Sequence, residues 1–96
     1  MGFEWDPRKN AINIKKHSVS FEEAITVFFD DDAIKFDDPD HSEEEERFLM
    51  LGFSSKARIL IVCHCFRAEN RTIRIISARK ATEEEEKTYN ELKRGW

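Results

Sequence analysis

The stretch Arg71-Thr72-Ile73-Arg74-Ile75-Ile76-Ser77-Ala78-Arg79-Lys80 decides the fold, because it reads as a buried β-strand interrupted by cationic side chains. Side chains of a strand alternate between its two faces. Strict alternation predicts one face with Ile73, Ile75, Ser77 and Arg79, and another with Arg74, Ile76 and Ala78. One face therefore carries arginine beside buried isoleucine. A rigidly held guanidinium suits phosphate or carboxylate, and the alternative is an ion pair with one of the chain's many acids.

Length and composition predict one globular domain with a modest core. The 96 residues are 40% hydrophobic and include eight Phe and two Trp. The longest apolar run, Ile59 to Cys63, is far shorter than a membrane span, and the N-terminus lacks the basic-then-apolar order of a signal peptide. We therefore expect a cytoplasmic protein.

Cys63 and Cys65 lie on one face of an extended strand, where a disulfide would be strained, so we expect them to serve packing.

The charge of the chain is strongly polarised. Its net charge is −4, yet residues 22–46 hold twelve acids and one lysine, a local −11. Residues 58–80 hold six bases and one acid, a local +5. Such local fields can recruit a polyanion or a basic partner even when the net charge is negative.

Three helices are predicted from capping residues and helical spacing. The first begins at Asp6-Pro7 and ends near Lys16 or His17. Capping boxes begin the other two, Ser20 with Glu23 and Thr82 with Glu85, and the last helix ends near Arg94. The apolar residues expected to face the core are Phe21, Ala24, Ile25 and Phe28 in the second helix and Tyr89, Leu92 and Trp96 in the third.

Strand patterns cover residues 3–5, 33–37, 48–53, 58–67 and 71–80. Short turns join the last three strands, which are therefore expected to pair as antiparallel neighbours. The order predicts an α+β domain with a short N-terminal strand, two helices, an antiparallel meander sheet of three to four further strands, and a C-terminal helix packed on the sheet.

The register of the last hairpin is open, because a bulge would exchange the faces of its strands. If Ala68 to Arg71 form the loop without a bulge, Arg67 shares a face with Arg74, and Arg79 shares one with His64. A one-residue bulge would instead bring Arg67 and Arg79 together.

Six segments in series resemble the BrnT family of ribonuclease toxins, which belong to type II toxin–antitoxin modules and have a RelE-like fold. The segments are Phe3-Glu4-Trp5-Asp6-Pro7, the helix end from Asn13 to Lys16-His17, Val19-Ser20-Phe21-Glu22-Glu23-Ala24, Asp40-His41-Ser42, Glu46-Arg47-Phe48 and Arg74-Ile75-Ile76-Ser77-Ala78-Arg79. The resemblance implies one endoribonuclease domain over residues 1–96 that cleaves RNA without a metal or other cofactor and inhibits translation. It also implies a BrnA-type antitoxin, itself DNA-binding, as partner.

Metal-free RNA cleavage uses the 2′-hydroxyl as nucleophile, so the protein must supply a base, an acid for the leaving 5′ oxygen, and cations for the charge on phosphorus. Histidine suits proton transfer near neutrality. His17 and His41 stand at the ends of predicted elements, where functional groups are often displayed, and are candidates. His64 lies in an apolar strand, and we expect it to be packed.

Further candidates complete the predicted site. The other catalytic candidates are Lys16, Arg67, Arg79 and Tyr89, and the RNA-binding candidates are Lys15, Arg71, Arg74 and Lys80. Tyr89 could stack a base or donate a proton, although its helical spacing with Leu92 favours core packing.

Two other functions are compatible with the sequence. A non-catalytic binding module would hold a basic partner on the acidic region and use its arginines structurally. A metallohydrolase would combine His41 with Asp37, Asp38 or Asp40, and a chelator would abolish its activity.

Overall fold

The structure, a computed structural model that describes residues 2–39 and 46–93, has an α+β fold. Its elements are β1 (Gly2–Glu4), α1 (Pro7–His17), α2 (Phe21–Thr26), a 3-10 turn (Val27–Phe29), β2 (Ile34–Asp37), β3 (Phe48–Phe53), β4 (Ile59–Arg67), β5 (Thr72–Lys80) and α3 (Glu83–Leu92). The predicted order of helices and strands is confirmed. In the described part of the chain, no helix is both long and apolar enough to cross a bilayer.

The five strands form one mixed sheet in the order β1-β5-β4-β3-β2. The neighbours from β2 to β5 are antiparallel, as predicted, but β1 pairs with β5 in parallel, with Phe3 opposite Ile73. The prediction of a purely antiparallel meander was therefore wrong. A three-residue strand carries too little pattern to specify its partner, and only the tertiary fold brings β1 to the edge of β5.

A β-bulge in β5 decides which residues face the core. His64 pairs with Ile75, whereas the preceding Cys63 pairs with Ser77, so Ile76 is the extra residue. The buried residues of β5 are Ile73, Ile75 and Ala78, and the residues on the opposite face are Arg74, Ser77 and Arg79. The strict alternation predicted from the sequence was wrong, because one extra residue exchanges the faces beyond it.

The pairing of β4 with β5 also fixes the register of the hairpin, which the sequence left open. Arg67 pairs with Thr72 across a four-residue loop, and the bulge lies further along β5, so Arg67, Arg74 and Arg79 share one face. Arg79 therefore does not share a face with His64. However, Arg79 pairs with Ile61, six residues before Arg67, which places the two arginines about 20 Å apart along the strands.

Each face of the sheet has its own core. Helices α1 and α2 cover one face, where Phe21, Leu60 and Ile75 are almost fully buried. Helix α3 covers part of the other face and packs Tyr89 against Leu51 and Ile61. Leu92, which was expected to pack there, is 54% exposed, and Trp96 lies outside the described residues. Both cysteines are buried free thiols, as expected.

The predicted helix caps are present, with one difference. Asp6 accepts from the backbone of Arg8, and Thr82 and Glu85 form a complete capping box. Ser20 accepts from the backbone of Glu23, but the Glu23 side chain binds Ser54 and Arg58 instead of returning to the cap. A distant cation thus competes successfully with the local capping interaction.

Candidate functional site

A half-open groove of about 470 Å³ lies on the α3 face of the sheet, where α3 leaves β5 uncovered. Apolar side chains of β3, β4 and β5 line it together with polar ones. The polar lining residues are His17, Asp38, Arg47, Cys63, Ser77, Arg79 and Glu85. The groove thus combines two arginines, one histidine and two carboxylates.

Arg79 reaches the groove because the bulge turns it away from the core. Its guanidinium binds Glu85 through two hydrogen bonds, from Nη1 to Oε1 at 2.8 Å and from Nη2 to Oε2 at 3.0 Å. The hydrogen bonds from Arg79, with one from the backbone of Thr82, lower the pKa of Glu85 to about 2. Since Glu85 also caps α3, the helix start and the guanidinium orient each other.

His17 reaches the groove because Asn13 attaches α1 to the edge of β5. The buried Asn13 amide donates to the carbonyls of Val19 and Ala78, both at 2.8 Å, and its oxygen accepts from the backbone N–H of Ala78 at 3.1 Å. Asn13 thus occupies the β5 edge beyond the end of β1. His17 lies one turn further along α1, and Arg79 directly follows Ala78, so one contact positions both.

Asp38 and Arg47 come to the groove from the ends of β2 and β3. The backbone N–H of Asp38 donates to the Arg47 carbonyl at 3.0 Å, which extends the pairing of these strands. The Asp38 carboxylate accepts from the Cys63 thiol at 3.4 Å. Burial, together with Asp38, raises the pKa of Cys63 to about 12, so this thiol is protonated at neutral pH and is unsuited to nucleophilic attack.

Three of the remaining catalytic candidates, Lys16, Arg67 and Tyr89, lie outside the groove, and His41 lies outside the described residues. Lys16 is exposed on α1 beside His17. Arg67 stands at the hairpin end of β4, far from Arg79 along the sheet.

The RNA-binding candidates are spread over the surface. Lys15 is exposed on α1, and Arg71 is exposed in the hairpin loop. Arg74 donates to Glu4 on the neighbouring β1 at 2.7 Å. Lys80 lines a separate surface pocket with Arg58 and Glu86. None of these four side chains lines the groove itself.

Tyr89 is buried beneath α3, so the expected core packing is confirmed. Its hydroxyl donates to Asp30 Oδ2 at 2.6 Å. Burial, reinforced by Asp30, raises the pKa of Tyr89 well above its ordinary value. Burial also acts to raise the pKa of Asp30, but hydrogen bonds from Tyr89 and the Phe53 backbone outweigh it, so that pKa is lowered. The structure therefore places the Tyr89 hydroxyl in a contact away from the groove.

His64 is fully buried, and its expected packing is also confirmed. It lies among the rings of Phe28, Phe48 and Phe66, and its Nδ1 is 3.2 Å from the carbonyl oxygen of Val62. Burial lowers the pKa of His64, because desolvation disfavours the charged imidazolium.

Three groove residues escaped the sequence-based site. Glu85 was assigned only a capping role, Asp38 was considered as a metal ligand, and Arg47 was not among the catalytic or RNA-binding candidates. Arg47 does carry a signal, because it is the base that separates four consecutive glutamates from an apolar strand. Among residues 2–39 and 46–93, no cluster of three or more His, Cys, Asp or Glu side chains could hold a metal ion.

Fold and groove together define a small α+β domain that gathers one histidine and two arginines beside a mixed sheet. Its fold is similar to that of the Brucella abortus ribonuclease toxin BrnT, whose crystal structure is known at 1.1 Å. The TM-score is 0.66 at 24% sequence identity, and the match covers 86% of this chain and 99% of that chain.

The sequence profile of one protein family, described as the ribonuclease toxin BrnT of type II toxin–antitoxin systems, matches residues 5–85. The chain belongs to the BrnT family, and the resemblance noted in the sequence is confirmed. A search of curated proteins finds no match.

Proposed function

We propose that this protein is a toxin that cleaves RNA in the groove by metal-independent transesterification, and that it thereby inhibits translation. The observation that carries the proposal is the meeting of His17 and Arg79 in one open groove. An imidazole and a guanidinium in one groove supply a proton-transfer group and charge stabilisation, both of which this reaction requires. Membership of a ribonuclease toxin family supports the same chemistry.

In the proposed reaction, the 2′-oxygen attacks the adjacent phosphorus and the bond from phosphorus to the 5′ oxygen breaks. The products are a 2′,3′-cyclic phosphate and a free 5′-hydroxyl. His17 takes the proton of the 2′-hydroxyl or gives a proton to the leaving 5′ oxygen, and water exchanges the other proton. Lys16, its exposed neighbour, adds positive charge. Arg79 and Arg47 bind the phosphate oxygens, whose charge increases in the transition state.

Glu85 has a positioning role in this proposal. It engages both terminal nitrogens of Arg79, and Nη1 also donates to the Lys80 carbonyl at 3.2 Å. Among the described residues, Nε and the second hydrogen of Nη2 of Arg79 have no acceptor. These two donors lie side by side on the guanidinium and match two oxygens of a phosphate.

The other candidates remain predictions. Arg71, Arg74 and Lys80 are proposed RNA contacts beyond the scissile phosphate. His41 and Arg67 retain their predicted catalytic roles as hypotheses, and Tyr89 is not required by the proposed reaction.

We also propose a BrnA-type antitoxin as partner, a RelE-like relation of the fold and a cytoplasmic location. The acidic region offers exposed carboxylates to such a partner at Glu22, Asp31, Asp32 and Asp37, whereas Glu23, Asp30 and Asp38 are engaged within the protein. Reversal of charge in Asp31→Lys/Asp32→Lys should weaken the complex most at low salt. Unchanged affinity at every salt concentration would exclude this surface.

The test of cleavage uses purified, antitoxin-free protein and a long single-stranded RNA in the presence of EDTA. Wild type should produce fragments with 2′,3′-cyclic phosphate ends. His17→Ala and Arg79→Ala should each reduce the rate by about 100-fold or more. Lys87→Ala, an exposed change on α3, is the matched control and should cleave like wild type.

Two outcomes of the cleavage assay would each reject part of the proposal. If wild type cleaves neither free RNA nor RNA on translating ribosomes, the ribonuclease proposal is rejected and the non-catalytic binding module is favoured. If cleavage requires an added divalent ion, the metal-independent reaction is rejected.

A further inference from the structure

We infer that the solvent side of α1 is a binding surface for the RNA backbone that continues from the groove, so that the substrate is a polynucleotide held over several nucleotides. We call this surface, formed by Arg8, Lys9, Lys15 and Lys16, the basic face of α1. The inference rests on the proposed function, because it extends the same site.

The charge of α1 sets it apart from the rest of the chain. Between Pro7 and His17 the helix contains four Lys or Arg residues and no acid, in a protein of net charge −4. All four basic side chains belong to exposed residues. At about 100° per residue they fall within about 120° of the helix circumference, on one side. The helix therefore presents a single-sign field to solvent.

The lysines of this face are available for a ligand. Among the described residues, Lys9, Lys15 and Lys16 form no ion pair, and Arg8 makes only a loose contact of 3.8 Å with Asp6. By contrast, Arg58, Arg74 and Arg79 each bind a glutamate. A phosphate backbone can therefore bind the basic face without first displacing an internal partner.

The position of α1 connects this face with the groove. Asn13 attaches the helix to the edge of β5, and the last residue of the helix, His17, lines the groove. Lys9 lies eight residues before His17, which is about 12 Å along the helix axis. An RNA strand that leaves the groove over α1 would therefore pass several cations in succession.

The composition of the face favours nucleic acid over a protein partner. The exposed Ile12 lies among the four basic residues, but the exposed Ile14 lies on nearly the opposite side of the helix, so the two isoleucines form no apolar stripe. Lysine is depleted in the cores of protein interfaces, whereas backbone phosphates are commonly bound by lysine and arginine.

The test measures binding of a 2′-O-methyl RNA, which cannot be cleaved because it lacks the nucleophilic hydroxyl. Oligonucleotides of about 15 and about 3 nucleotides are titrated over a range of salt concentrations. The test variant is Lys9→Gln/Lys15→Gln, and Lys56→Gln/Lys87→Gln is the control with the same loss of charge at exposed sites elsewhere. RNA cleavage by wild type is measured in parallel.

We expect the test variant to bind the long oligonucleotide more weakly than the control does. Its plot of log affinity against log salt should be shallower by about 0.7 for each lysine removed. The short oligonucleotide should bind all variants equally, because it fills only the groove.

Three results would overturn the inference. Equal long-oligonucleotide affinity and equal salt slopes in both variants, with wild type cleaving RNA, would reject the basic face and leave the proposed function intact. Loss of antitoxin affinity with unchanged RNA affinity in the test variant would make the face a protein-docking surface. A wild type that neither binds nor cleaves RNA would reject the proposed function together with this inference.

Discussion

Two arginine–glutamate pairs occupy opposite sides of the sheet, and their surroundings give them different roles. In the first, Arg58 binds Glu23, whose side chain is 1% exposed and which also accepts from Ser54 at 2.6 Å. In the second, Arg79 binds Glu85, and the two side chains are 41% and 30% exposed. The ion pair is chemically the same, but the second one borders the groove that His17 also lines, and the first one does not.

The difference shows how burial separates structure from function. Burial acts to raise the pKa of Glu23, but the hydrogen bonds from Arg58 and Ser54 outweigh it and lower that pKa, so the carboxylate is ionised and depends on its partners. Arg58 also donates to the Ser18 carbonyl at 2.9 Å and so joins the end of α1 to β4. Arg79 instead keeps donors directed toward an open groove.

The largest expected effect comes from breaking the buried pair. Glu23→Ala removes the carboxylate partner of Arg58 and the acceptor of the Ser54 hydroxyl, and should lower the free energy of unfolding by about 3 kcal/mol. Glu85→Ala, which removes a cap and an exposed partner, should cost only about 1 kcal/mol. Urea unfolding measures both. Equal losses would contradict the contrast drawn between the two pairs.

The next largest effect concerns the groove pair and should appear in catalysis. Arg79→Lys retains the charge but loses the planar fork, so RNA cleavage should slow by about 100-fold while the urea midpoint changes little. Arg58→Lys provides the reverse case, because it should lower the urea midpoint and leave cleavage by the folded protein at the wild-type rate. A drop in stability without a loss of cleavage in Arg79→Lys would assign that pair a structural role.

In the contact between Tyr89 and Asp30, a carboxylate is bound by a neutral hydroxyl and not by a guanidinium as in the two ion pairs. Tyr89→Phe removes that donor from Asp30 and should lower the free energy of unfolding by about 1 kcal/mol. Thermal or urea denaturation would reveal the change. A cleavage assay on the same variant also tests the catalytic role considered for Tyr89 from its sequence.

The smallest expected effect is a change in acid sensitivity. The pKa of Glu85 falls from 4.5 to about 2 on folding, so its stabilisation is complete above pH 4.5 and is lost as the pH falls toward 2. Glu85→Gln keeps an acceptor for the helix cap but cannot ionise. Its stability should therefore fall less steeply than that of wild type across this pH range. The measurement is the free energy of unfolding of both proteins as a function of pH. If the two plots were parallel, the ion pair would add no net stabilisation.

Much of the molecule follows from local sequence. Helix α1 begins after Asp6 and ends at His17 as predicted, and the predicted strand at Phe48–Phe53 is confirmed. Caps depend on residues within three positions of each other, and strands depend on alternation within a few residues. Those interactions are visible in the sequence without knowledge of the fold.

Part of the candidate site was also accessible from the sequence. Arg79 stands in an apolar strand and His17 at a helix end, and both line the groove. Glu85, Asp38 and Arg47 were not assigned to the site, because nothing local indicates that the ends of β2, β3 and α3 meet beside β5.

By itself, the sequence determined the helices, the strands, their caps and the polarised charge, because each depends on neighbouring residues. Only the tertiary structure decided that Ile76 forms a bulge, that β1 pairs in parallel with β5, and that Asn13 binds Ala78, 65 residues away. Such long-range contacts depend on how whole elements pack, and a one-residue shift in register exchanges the faces of a strand. The orientation of Arg79 toward the groove is the result of that packing.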